Sequence, residues 1–441
     1  MKKLTASLLI SAFPYCAFAG IFTADITATN PDNGISQTKA FEFDQANNFF
    51  DQLRNKGFQR EFEGYDSTWK VQANTIYQGV PINVNLEENT NKLILDIPSI
   101  GVTETFDGTS RNDTTKALEN YLRDDIDGTY TKIVEYQVAS TPNSQLAGNP
   151  SSLQGQLLSS SFSNATNISS TTSTSSTSST SSESSKTSNS GSTVSSANPI
   201  MVGVAGGTYV QRSAAGKSVD VSIISIPISK GFSIDSDDPR KQLLVNGQFN
   251  YITVGQASSF QGSLGLGYKH PITDNWSLIP SVSYGAIGSQ DLASLGQVFS
   301  ASIASNYRFN IGEYDTTLVN MFGYYKTLPL SINNLISSDP NINNYVLKNG
   351  IMPSHILPFK VFSHDVRAKA IFTDTEFFGS TVFISQYNEV GMEFSTINKV
   401  DWLNKATFGL ADSLSLSAKY VFSIQDPNRF EGYDIGLSYD F

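Results

Sequence analysis

Cysteine, histidine and long apolar runs are nearly absent from this chain of 441 residues. The one cysteine, Cys16, lies near the N-terminus, so the rest of the chain has neither a disulfide framework nor thiol chemistry. Three histidines, His270, His355 and His364, leave little material for catalytic or metal-binding clusters. Beyond the N-terminus no apolar run reaches the roughly 18 residues of a membrane-spanning helix. That excludes helical bundles in a bilayer but not β-barrels, whose strands alternate and score weakly for hydropathy. Basic residues are the scarcer charge: 29 Lys and Arg against 40 Asp and Glu give a net charge of −11. An acidic surface argues against nucleic acid as a partner, because phosphate binding needs clustered cations.

The N-terminus reads as a secretory signal peptide over residues 1–19. Lys2 and Lys3 supply the basic region, Leu4 to Phe13 the apolar stretch, and Ala17-Phe18-Ala19 a small-x-small cleavage site carried by Ala17 and Ala19. Phe13-Pro14-Tyr15 ahead of Cys16 is unlike a lipoprotein signal. Removing this segment takes the charge to −13, with 27 basic residues against 40 acidic.

Residues 20–162 are expected to form a small α+β domain. Asp44 is placed to cap a helix bearing Ala46, Phe49, Phe50 and Leu53 on one face, with Gly57 at its end. Alternation follows in Trp69-Val71-Ala73-Thr75, in Ile82-Val84-Leu86 and in Leu93-Leu95-Ile97, the last two separated by a turn at Glu88 to Asn91. A second helix should follow Gly108 with Leu118, Tyr121 and Leu122 inward. No chemistry stands out here: Asp124-Asp125-x-Asp127 lacks the further ligands and closing Glu of a calcium loop. From Ser169 to Ser196, 23 of 28 residues are Ser or Thr, too polar to offset the entropy of ordering. Residues 163–198 are therefore expected to be a disordered linker.

Residues 199–441 alternate with period two. Trp276, Leu278, Pro280, Val282, Tyr284 and Ala286 interleave with serine and glycine, as do Phe299, Ala301, Ile303, Tyr307 and Phe309, and Leu414, Leu416, Ala418, Tyr420 and Phe422. Apolar faces five or six positions long suit the roughly 9–11 residues of a tilted transmembrane strand, and the polar faces suit a wet lumen. Twelve antiparallel strands are expected, starting near Ile200, Lys217, Lys241, Phe260, Trp276, Leu295, Tyr314, Phe359, Ser380, Leu403, Leu414 and Phe430. An even count puts both barrel ends on one side and leaves no unpaired edge in hydrocarbon. Short connections read Thr273-Asp274-Asn275, Ile311-Gly312-Glu313 and Ala411-Asp412-Ser413, and long ones Ile287–Gln297 and Lys326–Pro358. The fold class is thus an all-β transmembrane barrel preceded by a small α+β domain and a linker.

Alternation also assigns faces near Asp365. With Val366, Ala368, Ala370 and Phe372 toward lipid, Asp365, Arg367 and Lys369 turn inward. With Val382, Ile384, Val390, Met392 and Phe394 toward lipid, Tyr387, Glu389 and Glu393 do the same. These six residues are the candidate lining of a channel for a small polar solute. Cross-strand pairing that holds the wall in register is the other reading of the same charges.

The last residues, Tyr433 to Phe441, alternate strictly and finish on an aromatic. They resemble the C-terminal signal of Gram-negative outer-membrane β-barrels, with Asp434, Gly436, Tyr439 and Phe441 at its positions. The resemblance implies an outer-membrane location, lipid around the barrel, and recognition of the last strand by the barrel-assembly machinery. It implies a porin-like channel or structural component whose small domain hangs in the periplasm. The layout of signal peptide, domain, linker and terminal barrel is also similar to autotransporters, which would display residues 20–162 on the cell surface. Against this, the Ser/Thr tract is a poor former of the helix that sits in such pores. Outer-membrane phospholipases use a His-x-Ser-Asn cluster and outer-membrane proteases an Asp-Asp and Asp-His pairing. His364 is followed by Asp365-Val366 and fits neither, so no enzyme and no cofactor are expected.

Overall fold

The computed structural model describes residues 22–142, 144–167, 200–212, 218–289, 291–292, 294–332, 336–361, 364–397, 413–423 and 429–440. The expected signal peptide, the Ser/Thr tract and Phe441 lie outside these.

The N-terminal part is a six-stranded antiparallel sheet with helices on one face. Its strands are β1 (Phe22–Thr29), β2 (Ser36–Phe43), β3 (Lys70–Tyr77), β4 (Val80–Leu86), β5 (Lys92–Ile97) and β6 (Val102–Asp107), in the order β2-β1-β3-β4-β5-β6. The alternation in β3, β4 and β5 does what the sequence requires: Val71, Ala73, Ile82, Val84, Leu93 and Leu95 are all buried. The turn before β5 holds Asn89 at φ +56°, a left-handed position Asn tolerates.

Over the buried face pack α1 (Ala46–Gln52), α2 (Asn55–Glu61), α3 (Arg111–Arg123) and α4 (Thr129–Ser140). The first expected helix is in fact two. Gln45, not Asp44, sits at the N-cap of α1, the chain breaks after Gln52, and Gly57 lies inside α2. A Cβ on Gly57 would stand 2.5 Å from the Gln52 carbonyl oxygen, so only glycine lets the two helices approach this closely. Ala46, Phe49 and Leu53 do reach the core. The second expected helix is α3, started by the Ser110 hydroxyl accepting from the Asp113 amide.

The C-terminal part closes into a twelve-stranded antiparallel barrel. Its strands are β7 (Ile200–Arg212), β8 (Ser218–Ser233), β9 (Gln242–Val254), β10 (Ala257–Pro271), β11 (Trp276–Ser289), β12 (Ser294–Ile311) and β13 (Tyr314–Leu328), then β16 (Asn343–Val361), β17 (His364–Gly379), β18 (Gln386–Thr396), β19 (Ser413–Ser423) and β20 (Arg429–Asp440). A short hairpin, β14 (Leu330–Ile332) and β15 (Ile336–Ser338), interrupts the series. Closure is made by β20 against β7, with Ile435 opposite Gly206 and Tyr439 opposite Val202.

The count matches the sequence reading, but the membership differs in the second half. Residues 326–358 are not one long loop: most of them form the ends of β13 and β16. Prolines made the stretch look irregular, yet Pro358 falls at a bulge between Ile356 and Lys360 where the ladder with β17 is interrupted. The strand placed at Ser380 is β18, which begins at Gln386, residues 380–385 being the connection after β17; the one placed at Leu403 lies outside the described residues. Connections do not sort cleanly by length either. Among the fully described connections, one barrel end carries residues 255–256 and 380–385, the other 234–241, 272–275 and 312–313.

Between the two parts runs α5 (Leu153–Asn167), which the sequence reading did not anticipate. It continues past residue 162, where the linker was expected to begin. The helix lies inside the barrel against β9 to β13. Leu153 approaches Gly285 near one end of the barrel, and the Ala165 carbonyl accepts from Asn306 near the other.

Candidate functional site

The outer wall decides what kind of barrel this is. Leu264, Val282, Tyr284, Ile303, Phe322, Phe372, Met392, Leu416 and Ile435 all point away from the lumen and stay exposed. In water such a belt would drive aggregation; in hydrocarbon it is the required surface. The barrel is of the membrane-spanning, outer-membrane kind. Even strand number, closure and apolar-out alternation are the three features that lipid imposes on a β-protein.

The lumen is not uniformly wet. Beneath α5 the wall is apolar, with Val298, Val319, Met321, Val346 and Met352 buried against Leu157, Leu158, Phe162 and Ala165. Burial of each such large side chain contributes about 1.5–3 kcal/mol, so this seat is mainly hydrophobic. A polar frame fixes its register: Gln154 donates to Asn344 at 3.0 Å, Asn246 to Ser160 at 2.9 Å and Gln248 to Gln156 at 2.9 Å. The sequence carried a signal for this patch, since parts of β12, β13 and β16 are apolar on both faces. A strand facing lipid and water has no reason to be so.

Opposite the helix the wall is ionic. Glu389 accepts from Lys348 at 2.5 Å, from Lys419 at 3.2 Å and from the Thr373 hydroxyl at 2.6 Å. Lys419 also lies 3.7 Å from Asp434, to which the Tyr209 hydroxyl donates. The Lys348 ammonium sits 5.0 Å above the ring of Phe162 and 5.5 Å from that of Tyr387. Phe162 therefore ties α5 to the charged wall. Gly207 makes room for the Tyr209–Asp434 contact: a Cβ there would collide with the Asp434 carboxylate. Between the serine side of α5 and this wall remains a gap of about 260 Å3, lined by Ser159, Ser160, Lys369, Glu393, Lys419 and Asp434 among others.

The six residues assigned inward by alternation divide into two groups. Tyr387 and Glu389 belong to the central network. Lys369 pairs with Glu393 at 2.8 Å on the same wall. Arg367 reaches Asp315 at 4.0 Å and Asp365 pairs with Lys360 at 3.3 Å, both toward the end where β17 begins. The key residues outside that set are Lys348, Tyr209 and Lys419, the last on the polar face of its strand by the same alternation; Lys348 escapes a sequence reading because its prolines make β16 look like a loop. Of the C-terminal signal positions, Asp434 and Gly436 share the inward face of β20 and Tyr439 pairs with Leu414 and Val202; Phe441 lies outside the described residues. Val382 and Ile384, expected toward lipid, are buried instead. The connection holding them meets the N-terminal part, where Phe383 donates to the Val138 carbonyl at 2.8 Å and Ile384 to that of Gly148 at 2.9 Å.

That contact is one of several at this barrel end. Ala46 donates to the Asp291 carbonyl at 2.7 Å, Gln78 to that of Leu292, and the Asp339 amide to the Thr131 hydroxyl at 2.9 Å. Leu292, Phe383 and Ile384 join the core of the N-terminal part in one continuous apolar cluster. The α+β part thus caps the mouth opposite the end where β7 begins and β20 finishes. Among the described residues no group of three or more His, Cys, Asp or Glu is arranged to hold a metal ion.

No family model and no curated protein matches the sequence. Solved structures with a similar barrel include the beta domain of the Bordetella autotransporter BrkA, at 13% identity and a TM-score of 0.38 over 55% of this chain and 99% of that one. The translocator domain of the autotransporter NalP from Neisseria meningitidis matches at 13% identity and 0.37, over 55% and 88%. The KdgM porin matches at 11% identity and 0.31, over 54% and 99%.

Proposed function

We propose that this chain is an autotransporter-type outer-membrane protein whose barrel holds its N-terminal α+β domain at the cell surface. The observation that carries the reading is α5. It enters the lumen from the mouth capped by that domain and ends near the opposite mouth, where β7 starts. If the end of β20 is the signal read from the periplasm, that opposite mouth is the periplasmic one. The domain then lies outside, and α5 is the tether threaded through the wall that anchors it. Exposed Lys56 of α2 offers a direct test, since the one native cysteine, Cys16, sits in the expected signal peptide. A Lys56→Cys chain should react with a large, membrane-impermeant PEG-maleimide on intact cells. Reaction only after the outer membrane is permeabilised would overturn the assignment.

A channel with a periplasmic domain is the second reading, favoured by the gap beside α5. In that case ions pass along Lys369 and Glu393, and replacing Arg367 and Lys369 by Gln shifts ion selectivity in planar bilayers. Under the autotransporter reading the helix fills the route. Conductance should then be low in the wild type and rise when Phe162→Ala loosens the helix from Lys348.

A further inference from the structure

The N-terminal domain contains a cavity of its own, about 500 Å3, between α1, the C-terminal half of α3, α4 and the sheet. Its floor is Ile82, Val84 and Leu95, and its walls include Phe49, Leu118 and Ile133. All six side chains are otherwise buried. The space opens to solvent at a rim that carries Asn47, Asp51, Arg54, Glu119 and Arg123. The volume falls within the roughly 300–1,000 Å3 typical of small-molecule pockets, which pair apolar walls with a few placed polar groups.

Those polar groups are present. Tyr77 and Tyr130 also line the space, and burial pushes both phenols up, so they remain neutral hydroxyls. At the rim stand two guanidinium groups, Arg54 and Arg123, and two carboxylates, Asp51 and Glu119, both of which are paired with Arg54. Arg54 is oriented by Glu119 at 2.7 Å and Asp51 at 2.8 Å. Arg123 pairs with its exposed neighbour Asp124 at 3.1 Å, a solvated contact that a ligand oxygen can replace at little cost.

We propose that this cavity binds a monocarboxylate with an elongated apolar body, its carboxylate at the arginine rim and its body on the floor of the sheet. The proposal does not depend on which side of the membrane the domain occupies. The test uses the full chain in lipid nanodiscs, with dansyl-undecanoic acid as probe and empty nanodiscs as background. The expected result is saturable fluorescence enhancement at one probe per chain, displaced by dodecanoate. Filling the cavity with Leu118→Trp, or at its half-buried rim with Leu122→Trp, should abolish it, with near-UV circular dichroism reporting that each variant is folded. Arg123→Glu should weaken binding by at least about tenfold, as for loss of one charge-assisted hydrogen bond, while leaving the probe's methyl ester unaffected. Signal no greater than that of empty nanodiscs, signal retained in both folded tryptophan variants, or an ester that binds as well as the acid would each overturn the assignment.

Discussion

The N-terminal domain and the barrel obey the same pleat but opposite solvents. In the domain, Val71, Ile82, Val84 and Leu95 turn inward and asparagine, threonine and aspartate outward, with Asn83 bonded to Asp96 across the outer face at 3.1 Å. In the barrel, Val282, Ile303, Phe372 and Leu416 turn outward, while Asn250, Ser300 and Glu389 are buried. A period of two fixes only that the faces differ; which face is greasy is set by what each face meets. The barrel adds a second lesson, because its own interior is half polar and half apolar according to where α5 lies.

The sharpest break of this contrast is Glu389→Gln. It leaves Lys348, 1% exposed, without its carboxylate and Lys419 with Asp434 alone, and should cost the barrel about 3–5 kcal/mol. Urea unfolding in lipid vesicles, followed by tryptophan fluorescence, measures it; a loss below about 1 kcal/mol would mean the lumen hydrates these charges freely.

Next in size is a matched pair of exposed apolar residues. Leu264 on the barrel is 70% exposed and Ile35 in the turn before β2 is 60% exposed. Leu264→Arg should destabilise the barrel by roughly 2–4 kcal/mol because its surroundings are hydrocarbon. Ile35→Arg should change stability by no more than about 0.5 kcal/mol because its surroundings are water. Equal, small effects at both sites would remove the membrane from the account.

The smallest effect belongs to the domain alone. Ser110→Ala deletes the cap of α3 and should lower domain stability by about 1 kcal/mol without altering the barrel's own transition. Two calorimetric transitions moving together would show that the continuous apolar cluster at the mouth couples the parts into one unit.

Much of this was legible from residues alone. Alternation placed Arg367, Lys369, Tyr387, Glu389 and Glu393 on the inner wall, and the twelve-strand count followed from strand spacing. The errors have physical causes. Pro353 and Pro358 argued against a strand, but a bulge absorbs the second of them. Val382 and Ile384 alternate like lipid-facing residues, yet they are buried where the connection after β17 meets the N-terminal domain. The helix α5 escaped notice because its apolar positions, Leu153, Leu157, Leu158 and Phe162, sit among serines that read as the onset of a linker. Its partner surface is built from residues far away in sequence, and no local pattern reports that.

From Leu153 to Asn167 the threaded helix carries no ionisable side chain. Dilution, brine or a swing in acidity therefore finds nothing on it to titrate or screen, although the wall beside it is full of charge. A helix seated in this way should depend little on salt beyond the tie between the ring of Phe162 and the Lys348 ammonium, and a solvent for grease should loosen it most.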